Sequence, residues 1–291
     1  MKFRTEYKAS PSILKLDPTR PIVLVGSCFA SNIASKMNEC MWDAVNNVGT
    51  LYNPMSISKV LELLVFTDDY ISELDASLFE ANGKIHSWLF DSHFSSGSKE
   101  RLLQGIQESR IELLSALQQA QALVVTFGTS WCYELADEEA YIVANCHKMP
   151  SRMFIRKRMS VEAISTLWQH LCQLLQLEFP ELNIIFTVSP VRHLKDGFEG
   201  NTLSKATLHL AVENICANLE RCHYFPAYEL VCDDLRDYRF YASDLVHPSD
   251  MAIEYIWEVF CDTFLDDSGK DKIKEGNKKF KALNHRPIMI K

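Results

Sequence analysis

The sequence has 291 residues, of which 47% are hydrophobic and 23% are charged, proportions that are typical of globular proteins and exclude disordered and fibrous classes. Its 30 Lys and Arg residues against 38 Asp and Glu residues give a net charge of −8, and no basic cluster precedes the C-terminal region, so nucleic-acid binding is not expected. Only 10 residues are glycine, which excludes collagen-like and glycine-rich linker proteins.

The N-terminus and the cysteines both predict a cytoplasmic protein. The first residues contain no apolar core of a signal peptide, and no apolar run approaches the roughly 20 residues that span a membrane. The nine cysteines are odd in number, and no two of them have Cys-x-x-Cys spacing. We therefore expect reduced thiols that mostly fill the core, with no disulfide framework and no metal site.

Short apolar runs without polar alternation predict buried parallel strands. Three of them are Pro21–Gly26, Ala122–Phe127 and Asn183–Ser189. A fourth strand is predicted at Tyr224–Val231, where Pro226 indicates a sheet edge or a bulge.

Helical segments separate these runs. The clearest is Val161–Phe179, in which apolar residues recur at i, i+3, i+4 and i+7. The other predicted helices are Phe29–Cys40, Ile57–Phe66, Ile111–Ala122, Leu203–Cys222 and Met251–Leu265. The alternation of strand and helix predicts an α/β fold, a doubly wound three-layer sandwich with a mostly parallel central sheet.

Two hairpins and a tail are predicted as additions to this core. Leu78–Phe90 contains Asn82-Gly83, a strong signal for a two-residue turn, and Trp131–Asn145 has an acidic tip at Asp137–Glu139. From residue 268 the chain is rich in lysine and has little periodicity. We predict one domain over residues 1–267 and a solvated tail over 268–291, with an anion-binding or partner-binding arm as the alternative.

Ser27 is the first candidate catalytic residue. It follows the first predicted strand and precedes a helix, and Gly26 lets the chain turn sharply there. Ligands of doubly wound sheets lie at the carboxyl ends of the strands, and the N–H groups of a helix N-terminus can support an oxyanion. The alternative is that Ser27 only caps the helix.

Asp244 and His247 form the second candidate group. They lie in a loop after the fourth predicted strand, and Pro248 follows before the last helix. An Asp three residues before a His can accept the hydrogen bond of imidazole Nδ1, which leaves Nε2 to take a proton from a serine hydroxyl. Because loops after parallel strands open on one edge of a sheet, Ser27 and His247 are expected to lie at the same edge.

These motifs resemble the SGNH (GDSL-type) hydrolase superfamily and, within it, the GSCFA family, whose signature is similar to Gly26-Ser27-Cys28-Phe29-Ala30. The resemblance covers residues 1–262. Further similar blocks are Leu51-Tyr52-Asn53-Pro54, Phe127-Gly128-Thr129-Ser130-Trp131, Ala144-Asn145-Cys146-His147-Lys148, Ser189-Pro190-Val191-Arg192-His193 and Arg236–Pro248.

The resemblance implies roles for four residues. Ser27 matches the nucleophile, His247 the general base and Asp244 the residue that orients this base. The N–H groups of Ser27 and Gly49 match two donors of the oxyanion hole. The reaction that these roles imply needs no metal and no organic cofactor.

The third oxyanion donor of the superfamily, an Asn in a Gly-x-Asn block, is absent, because the corresponding residues are Gly128-Thr129-Ser130. Asn145 is the favoured substitute, with Asn53 and the Thr129 hydroxyl as alternatives. Asn53, Thr129 and Trp131, which lie in the similar blocks, are also assigned with His193 to substrate binding. His193 could equally be a structural loop histidine.

The predicted function is that of a serine esterase that cleaves a small acyl ester, such as an O-acetyl group on a carbohydrate, through an acyl-Ser27 intermediate. Two alternatives stay open. One is a non-catalytic carbohydrate- or protein-binding module on a hydrolase scaffold. The other is a thiol hydrolase that uses Cys28, although a buried structural cysteine is the favoured interpretation of that residue.

Overall fold

A computed structural model describes residues 5–138 and 141–284 of the chain. The strands are β1 (Ile22–Gly26), β2 (Ala44–Val45), β3 (Leu78–Ala81), β4 (Lys84–Ser87), β5 (Ala122–Phe127), β6 (Trp131–Leu135), β7 (Ile142–Val143), β8 (Phe154–Arg158), β9 (Asn183–Val188) and β10 (Cys222–Tyr224). The helices are α1 (Cys28–Glu39), α2 (Pro54–Phe66), α3 (Tyr70–Ala76), α4 (Lys99–Gln119), α5 (Val161–Glu178), α6 (Gly197–Asn218), α7 (Ala227–Glu229), α8 (Asp250–Phe264) and α9 (Asp267–Asn284). No helix among the described residues is long and apolar enough to cross a membrane.

The central sheet has the strand order β10-β9-β5-β1-β2, and each neighbouring pair is parallel. Counted along the chain, its five strands have the order 2-1-3-4-5 of a doubly wound fold, in which the strand order reverses between β1 and β5. The predicted α/β architecture is confirmed.

Side chains that alternate along β1 explain the three layers. Val23 and Val25 pack with apolar residues of α2, α4, α5 and α6 on one face of the sheet. Ile22 and Leu24 pack with residues of α1 and α8 on the other face. Because both faces of the strand are covered, it is apolar throughout, as expected for an inner parallel strand.

The fourth strand is shorter than predicted and lies earlier in the chain. β10 ends at Tyr224, and the rest of the predicted segment forms α7 and a π-helical turn, Leu230–Leu235. The prediction of a strand over Tyr224–Val231 was therefore wrong. Ala227, Leu230 and Val231 are buried at helical spacing, and their contacts with the α8 layer outweigh the β propensity of the segment.

The first predicted hairpin forms as expected, and the second is part of a larger sheet. β3 and β4 are antiparallel around Asn82 and Gly83, which have the positive φ angles of 52° and 70° that a tight turn requires. β6 pairs with β7, and β8 pairs with the other edge of β6, so the second insertion is a three-stranded sheet instead of a hairpin. The tip residue Glu139 lies outside the described residues.

The lysine-rich segment forms a helix, so the interpretation of little periodicity was wrong for residues 268–284. Gly269, Ile273 and Gly276 are buried at i, i+4 and i+7, a helical spacing that the surrounding lysines obscure. A Cβ atom at Gly276 would overlap the carbonyl oxygen of Cys40, so this glycine lets α9 pack directly on the C-terminal end of α1. Residues 285–291 of the predicted tail lie outside the described residues.

Candidate active site

Ser27 lies at the carboxyl end of β1, where the strand order of the sheet reverses. It is 1% exposed and occupies the N-cap position of α1, but its hydroxyl makes no capping hydrogen bond. The Oγ atom is buried and has no hydrogen-bond partner in the part of the chain that the structure describes. Because buried hydroxyls are normally paired, helix capping does not account for this serine.

Gly26 makes this placement possible. Its φ angle is 128°, which side-chain-bearing residues rarely adopt, and a Cβ atom at this position would overlap the carbonyl oxygen of Thr126 on β5. Only glycine therefore lets β1 pair closely with β5 and turn directly into α1. The turn holds Ser27 at the sheet edge.

Asp244 and His247 form the hydrogen-bonded pair that the sequence predicts. The Nδ1 atom of His247 lies 2.6 Å from Oδ2 of Asp244, while Oδ1 accepts the N–H groups of Val246 at 2.9 Å and His247 at 3.0 Å. The backbone hydrogen bonds from His247 and Val246 lower the pKa of Asp244 to about 2. The carboxylate is therefore ionised at neutral pH and assigns the proton of the imidazole to Nδ1, which leaves Nε2 as an acceptor.

His247 and Cys28, the neighbour of Ser27, line one cavity of about 410 Å³, which we call the main cavity. No hydrogen bond joins the Ser27 hydroxyl to His247 in this structure, since the hydroxyl is unpaired. Catalytic hydrogen bonds often form only in the substrate complex. The structure thus brings the candidate base His247 and the segment that carries Ser27 to one cavity, without a hydrogen bond between the two side chains.

The two predicted backbone oxyanion donors lie in contrasting surroundings. The N–H group of Ser27 donates to the carbonyl of Thr126 at 3.2 Å, so in this structure it continues the β1–β5 ladder. Gly49 lies beside the carboxylate of Asp91, which accepts the N–H of Thr50 at 2.8 Å. The Asp91 carboxylate would repel an oxyanion bound at Gly49. The oxyanion role of the Ser27 and Gly49 N–H groups therefore stays a prediction.

The geometry separates the three candidates for the third oxyanion donor. Asn53 caps α2 through its side-chain oxygen and donates to Ser56 through its nitrogen, and the Thr129 hydroxyl is bonded to Ser204 and Trp131. Asn145 accepts the N–H of His147 at 2.7 Å, which identifies its oxygen and leaves its NH₂ group without a partner among the described residues. All three residues line the main cavity, but Asn145 keeps both N–H donors of its amide, whereas Asn53 keeps one and the Thr129 hydroxyl is shared with Ser204.

His193 lies close to Ser27, with Gly128 between them. A Cβ atom built on Gly128 would lie 3.4 Å from Cβ of Ser27 and 3.5 Å from Nε2 of His193. The ring of His193 meets Tyr52 edge-on, at 6.0 Å between ring centroids. Burial, together with the charge of Lys205, lowers the pKa of His193 to about 4, so the imidazole is neutral at pH 7. It lines the main cavity, as its predicted substrate-binding role requires.

Trp131 also lines the main cavity. The wall of this cavity includes Arg156, a residue that the sequence analysis missed. The guanidinium of Arg156, on β8, lies 4.2 Å from the centroid of the Trp131 ring and forms an ion pair with Asp196. Nε1 of Trp131 and Nε of Arg156 are buried without partners in the described parts of the chain. The added sheet therefore supplies an aromatic and basic wall with two unused donors.

The alternative thiol chemistry receives no support from the geometry. Burial raises the pKa of Cys28, which keeps the thiol protonated and lowers its reactivity. Cys146 and His147 are adjacent in the sequence and are a second thiol and imidazole that could be considered for such chemistry. The ring nitrogens of His147 are bonded to the Ser87 carbonyl and the Ser92 hydroxyl, so this imidazole is not directed at the Cys146 thiol. Among the described residues, no group of three or more His, Cys, Asp or Glu side chains could hold a metal ion.

Lys205 is a second residue that the sequence analysis missed. It is 2% exposed, and its Nζ atom donates to the carbonyl oxygens of Gly128 and Ser189, both at 2.6 Å. Burial lowers the pKa of Lys205 to about 7. Its position three residues before the buried Leu208, on the apolar face of α6, is the sequence signal that could have identified it. The lysine joins the carboxyl ends of β5 and β9 beneath the candidate site.

The Lys205→Met variant is expected to change how stability depends on pH. The unfolded lysine has the ordinary pKa of 10.5, so between about pH 7 and 10.5 the unfolded state binds more protons than the folded state. This group therefore makes the free energy of unfolding rise with pH in that window, by up to about 1.4 kcal/mol per pH unit. Lys205→Met should lose this rise in denaturant titrations at several pH values, and the exposed Lys278→Met should keep it. Parallel curves for wild type and Lys205→Met would contradict the assignment.

Comparisons with solved structures identify distant similarities. A Streptococcus pneumonia structure, provisionally described as a platelet activating factor, has 11% identity and a TM-score of 0.42 over 86% of this chain and 85% of its own. A Corynascus thermopiles carbohydrate esterase family 2 enzyme with a carbohydrate binding domain has 12% identity and a TM-score of 0.43. An acetyl xylan esterase from Butyrivibrio proteoclasticus has 12% identity and a TM-score of 0.41. The aligned regions cover 90% and 91% of this chain, and 67% and 65% of the two esterases.

The family comparison is more specific than these structural similarities. No protein with a curated description matches the sequence. The model of the GSCFA family matches residues 21–260, a region that begins just before β1 and ends within α8. This region contains Ser27, the added sheet and the Asp244–His247 pair. The chain therefore belongs to the GSCFA family.

Proposed function

We propose that the protein is a serine esterase that hydrolyses a small acyl ester at Ser27. The observation that carries this proposal is the buried, unpaired Ser27 hydroxyl at the carboxyl edge of the sheet, whose neighbour Cys28 lines the cavity that the oriented His247 imidazole also lines. An unpaired buried hydroxyl is costly for stability and is therefore expected where a reaction uses it.

The mechanism begins when Nε2 of His247 takes the Ser27 hydroxyl proton and Oγ attacks the ester carbonyl. Asp244 stabilises the imidazolium through the 2.6 Å contact with Nδ1. The NH₂ group of Asn145 would bind the oxyanion.

Collapse of the tetrahedral intermediate breaks the bond to the alcohol oxygen, which receives the proton from His247. An acyl-serine remains. Water then loses a proton to His247 and attacks the acyl carbon, and Ser27 is regenerated as the acid leaves.

The main cavity and the resemblance to SGNH hydrolases support a small acyl ester as the substrate class. A volume of about 410 Å³ can hold a small acyl group together with part of its alcohol. Trp131 and Arg156, which stack on each other at the cavity wall, offer an aromatic edge and N–H donors that a carbohydrate could use. An O-acetylated carbohydrate is therefore the substrate that we propose.

Labelling with a fluorophosphonate probe tests the serine mechanism directly. We expect the probe to modify Ser27, with the site identified by mass spectrometry of the peptide that carries it. Labelling should persist in Cys28→Ser and disappear in Ser27→Ala. If nothing is labelled between about pH 6 and 9, the protein is not a serine hydrolase. Loss of activity on alkylation of Cys28, with activity retained in Ser27→Ala, would identify a thiol enzyme instead.

A further inference from the structure

A second cavity, of about 360 Å³, adjoins the main cavity. Arg192, His193 and Leu194 line both cavities, so this short segment forms the ridge between them. We call the second one the arginine cavity, because the side chains of Arg192 and Arg236 both line it. A ligand long enough to cross the ridge could occupy both cavities at once.

The backbone connects the arginine cavity to the loop of the candidate base. Tyr241 lines the cavity and forms an isolated bridge with Pro248, and the N–H of Ala242 donates to the carbonyl of His247 at 2.7 Å. The N–H of Arg192 donates to the carbonyl of Val246 at 3.4 Å. The arginine cavity is therefore built against the segment that holds His247.

The guanidinium of Arg192 is oriented by aromatic side chains and not by a carboxylate. Its Nη1 atom donates to the hydroxyl of Tyr238 at 3.2 Å, and its central carbon lies 4.5 Å from the centroid of the Tyr241 ring. Burial raises the pKa of Tyr241 to about 12, so this hydroxyl is neutral at pH 7. Such stacking holds a guanidinium in place while most of its five N–H donors stay available.

The positive charge of the arginine cavity is not neutralised by ion pairs. Within residues 5–138 and 141–284, no salt bridge joins Arg192 or Arg236 to a carboxylate. Asp237 is the carboxylate that lines the cavity there, and it is already bonded to the N–H of Arg239 at 2.9 Å and to its Nε at 3.4 Å. Burial raises the pKa of Cys232, so this thiol adds no negative charge.

We propose that the arginine cavity binds a carboxylate, sulfate or phosphate group on the alcohol portion of the ester, a proposal that rests on the proposed esterase function. Among the described residues, the guanidinium groups of Arg192 and Arg236 form no ion pair. In a chain of net charge −8 they form a local positive site that selects for anions. The ridge of residues 192–194 separates this group from the reacting carbonyl. The exposed rings of Phe198 and Tyr238 at the cavity supply apolar faces for a sugar.

Matched acetylated methyl glycosides test the preference for anions. The neutral compound is the O-acetylated methyl glucoside, and the anionic ones carry a carboxylate, a sulfate or a phosphate at C6. We expect kcat/KM for at least one anionic ester to exceed that of the neutral ester by about tenfold or more, mainly through a lower KM. The three anions distinguish the possible sources of the charge. Equal kcat/KM values for neutral and anionic esters would overturn the proposal.

Arginine variants test whether the preference for anionic esters depends on Arg192 and Arg236. The preference should fall below about twofold in Arg192→Gln and in Arg236→Gln, and it should remain in the matched control Arg101→Gln, an exposed arginine on α4 that lines neither cavity. The preference is a ratio measured within each variant, so a general loss of activity cancels. A preference that survives in the Arg192→Gln, Arg236→Gln double variant would also overturn the proposal.

Binding to an inactive protein separates this inference from the esterase proposal. The deacetylated anionic glycosides should bind Ser27→Ala by isothermal titration calorimetry more tightly than the neutral glucoside, and this difference should require Arg192 and Arg236. Such binding without any ester hydrolysis or fluorophosphonate labelling would reject the esterase and retain the anion site. Hydrolysis with equal binding of neutral and anionic glycosides would reject the anion site alone.

Discussion

Replacing Ser27 by alanine is expected to lower kcat for acetyl ester hydrolysis by about 10⁴-fold or more, because the variant has no atom that can form the acyl intermediate. p-Nitrophenyl acetate provides a continuous assay for this comparison. Activity within about tenfold of wild type would contradict a role of Ser27 as nucleophile.

The stability of the same variant provides a second readout. The Ser27 hydroxyl is buried and unpaired among the described residues, so its removal deletes an unsatisfied polar group. We therefore expect the melting temperature of Ser27→Ala to equal or exceed that of the wild type. A structural serine would give the opposite result, since loss of a helix-capping hydroxyl costs about 1 kcal/mol. Cys28→Ser is the matched control, and it should retain activity because Cys28 has no role in the proposed mechanism.

Replacing His247 by alanine is expected to lower kcat by about 10³- to 10⁴-fold, because no other group then accepts the Ser27 proton. The variant should fold normally, since the His247 and Asp244 side chains are 45% and 49% exposed and exposed ion pairs contribute little to stability. The assay is ester hydrolysis across pH, together with the free energy of unfolding.

Two further measurements make the His247 experiment decisive. Imidazole added to the buffer should restore part of the activity of His247→Ala, because it can enter the space that the side chain leaves beside the main cavity. The exposed His170→Ala, on α5, is the matched control and should behave as wild type. Unchanged activity in His247→Ala would show that another group, such as the nearby His193, is the base.

Local chemistry explains why the central residues of the site could be predicted. The turn at Gly26 and Ser27 depends on the backbone freedom of one glycine, and the Asp244–His247 contact closes over three residues. Each arrangement is encoded within a few residues, so a short sequence window contains its signal. The same holds for the Asn82-Gly83 turn, and the apolar β1 run predicted its buried parallel strand for the same reason.

The third oxyanion donor could not be identified from a short sequence window. Asn145, Asn53 and Thr129 were equivalent as residue types, because each carries a group that can donate a hydrogen bond. Their neighbours decide between them. Ser56 engages Asn53, Ser204 engages Thr129, and the N–H of His147 occupies only the oxygen of Asn145.

Helix α9 and strand β10 differ from their predictions because packing overrode local propensity. In the sequence, Gly276 suggests a flexible segment among lysines. In the structure, the absence of a side chain at Gly276 lets α9 contact the carbonyl of Cys40. The local propensity of the residues after Tyr224 favours a strand. Contacts with the α8 layer select the helix.

The amino-acid sequence alone predicted the α/β fold through the periodicity of its apolar residues, the Asp244–His247 contact through short-range hydrogen bonding, and the GSCFA family through the resemblance of its motifs to those of that family. The tertiary structure was needed for Lys205, which bonds to Gly128 from 77 residues away, for Arg156 over Trp131, and for the pairing of Arg192 with Tyr238 across 46 residues. Such contacts form when separate elements pack at one sheet edge. Their partners are chosen by the position of each element in the fold, which no local pattern encodes.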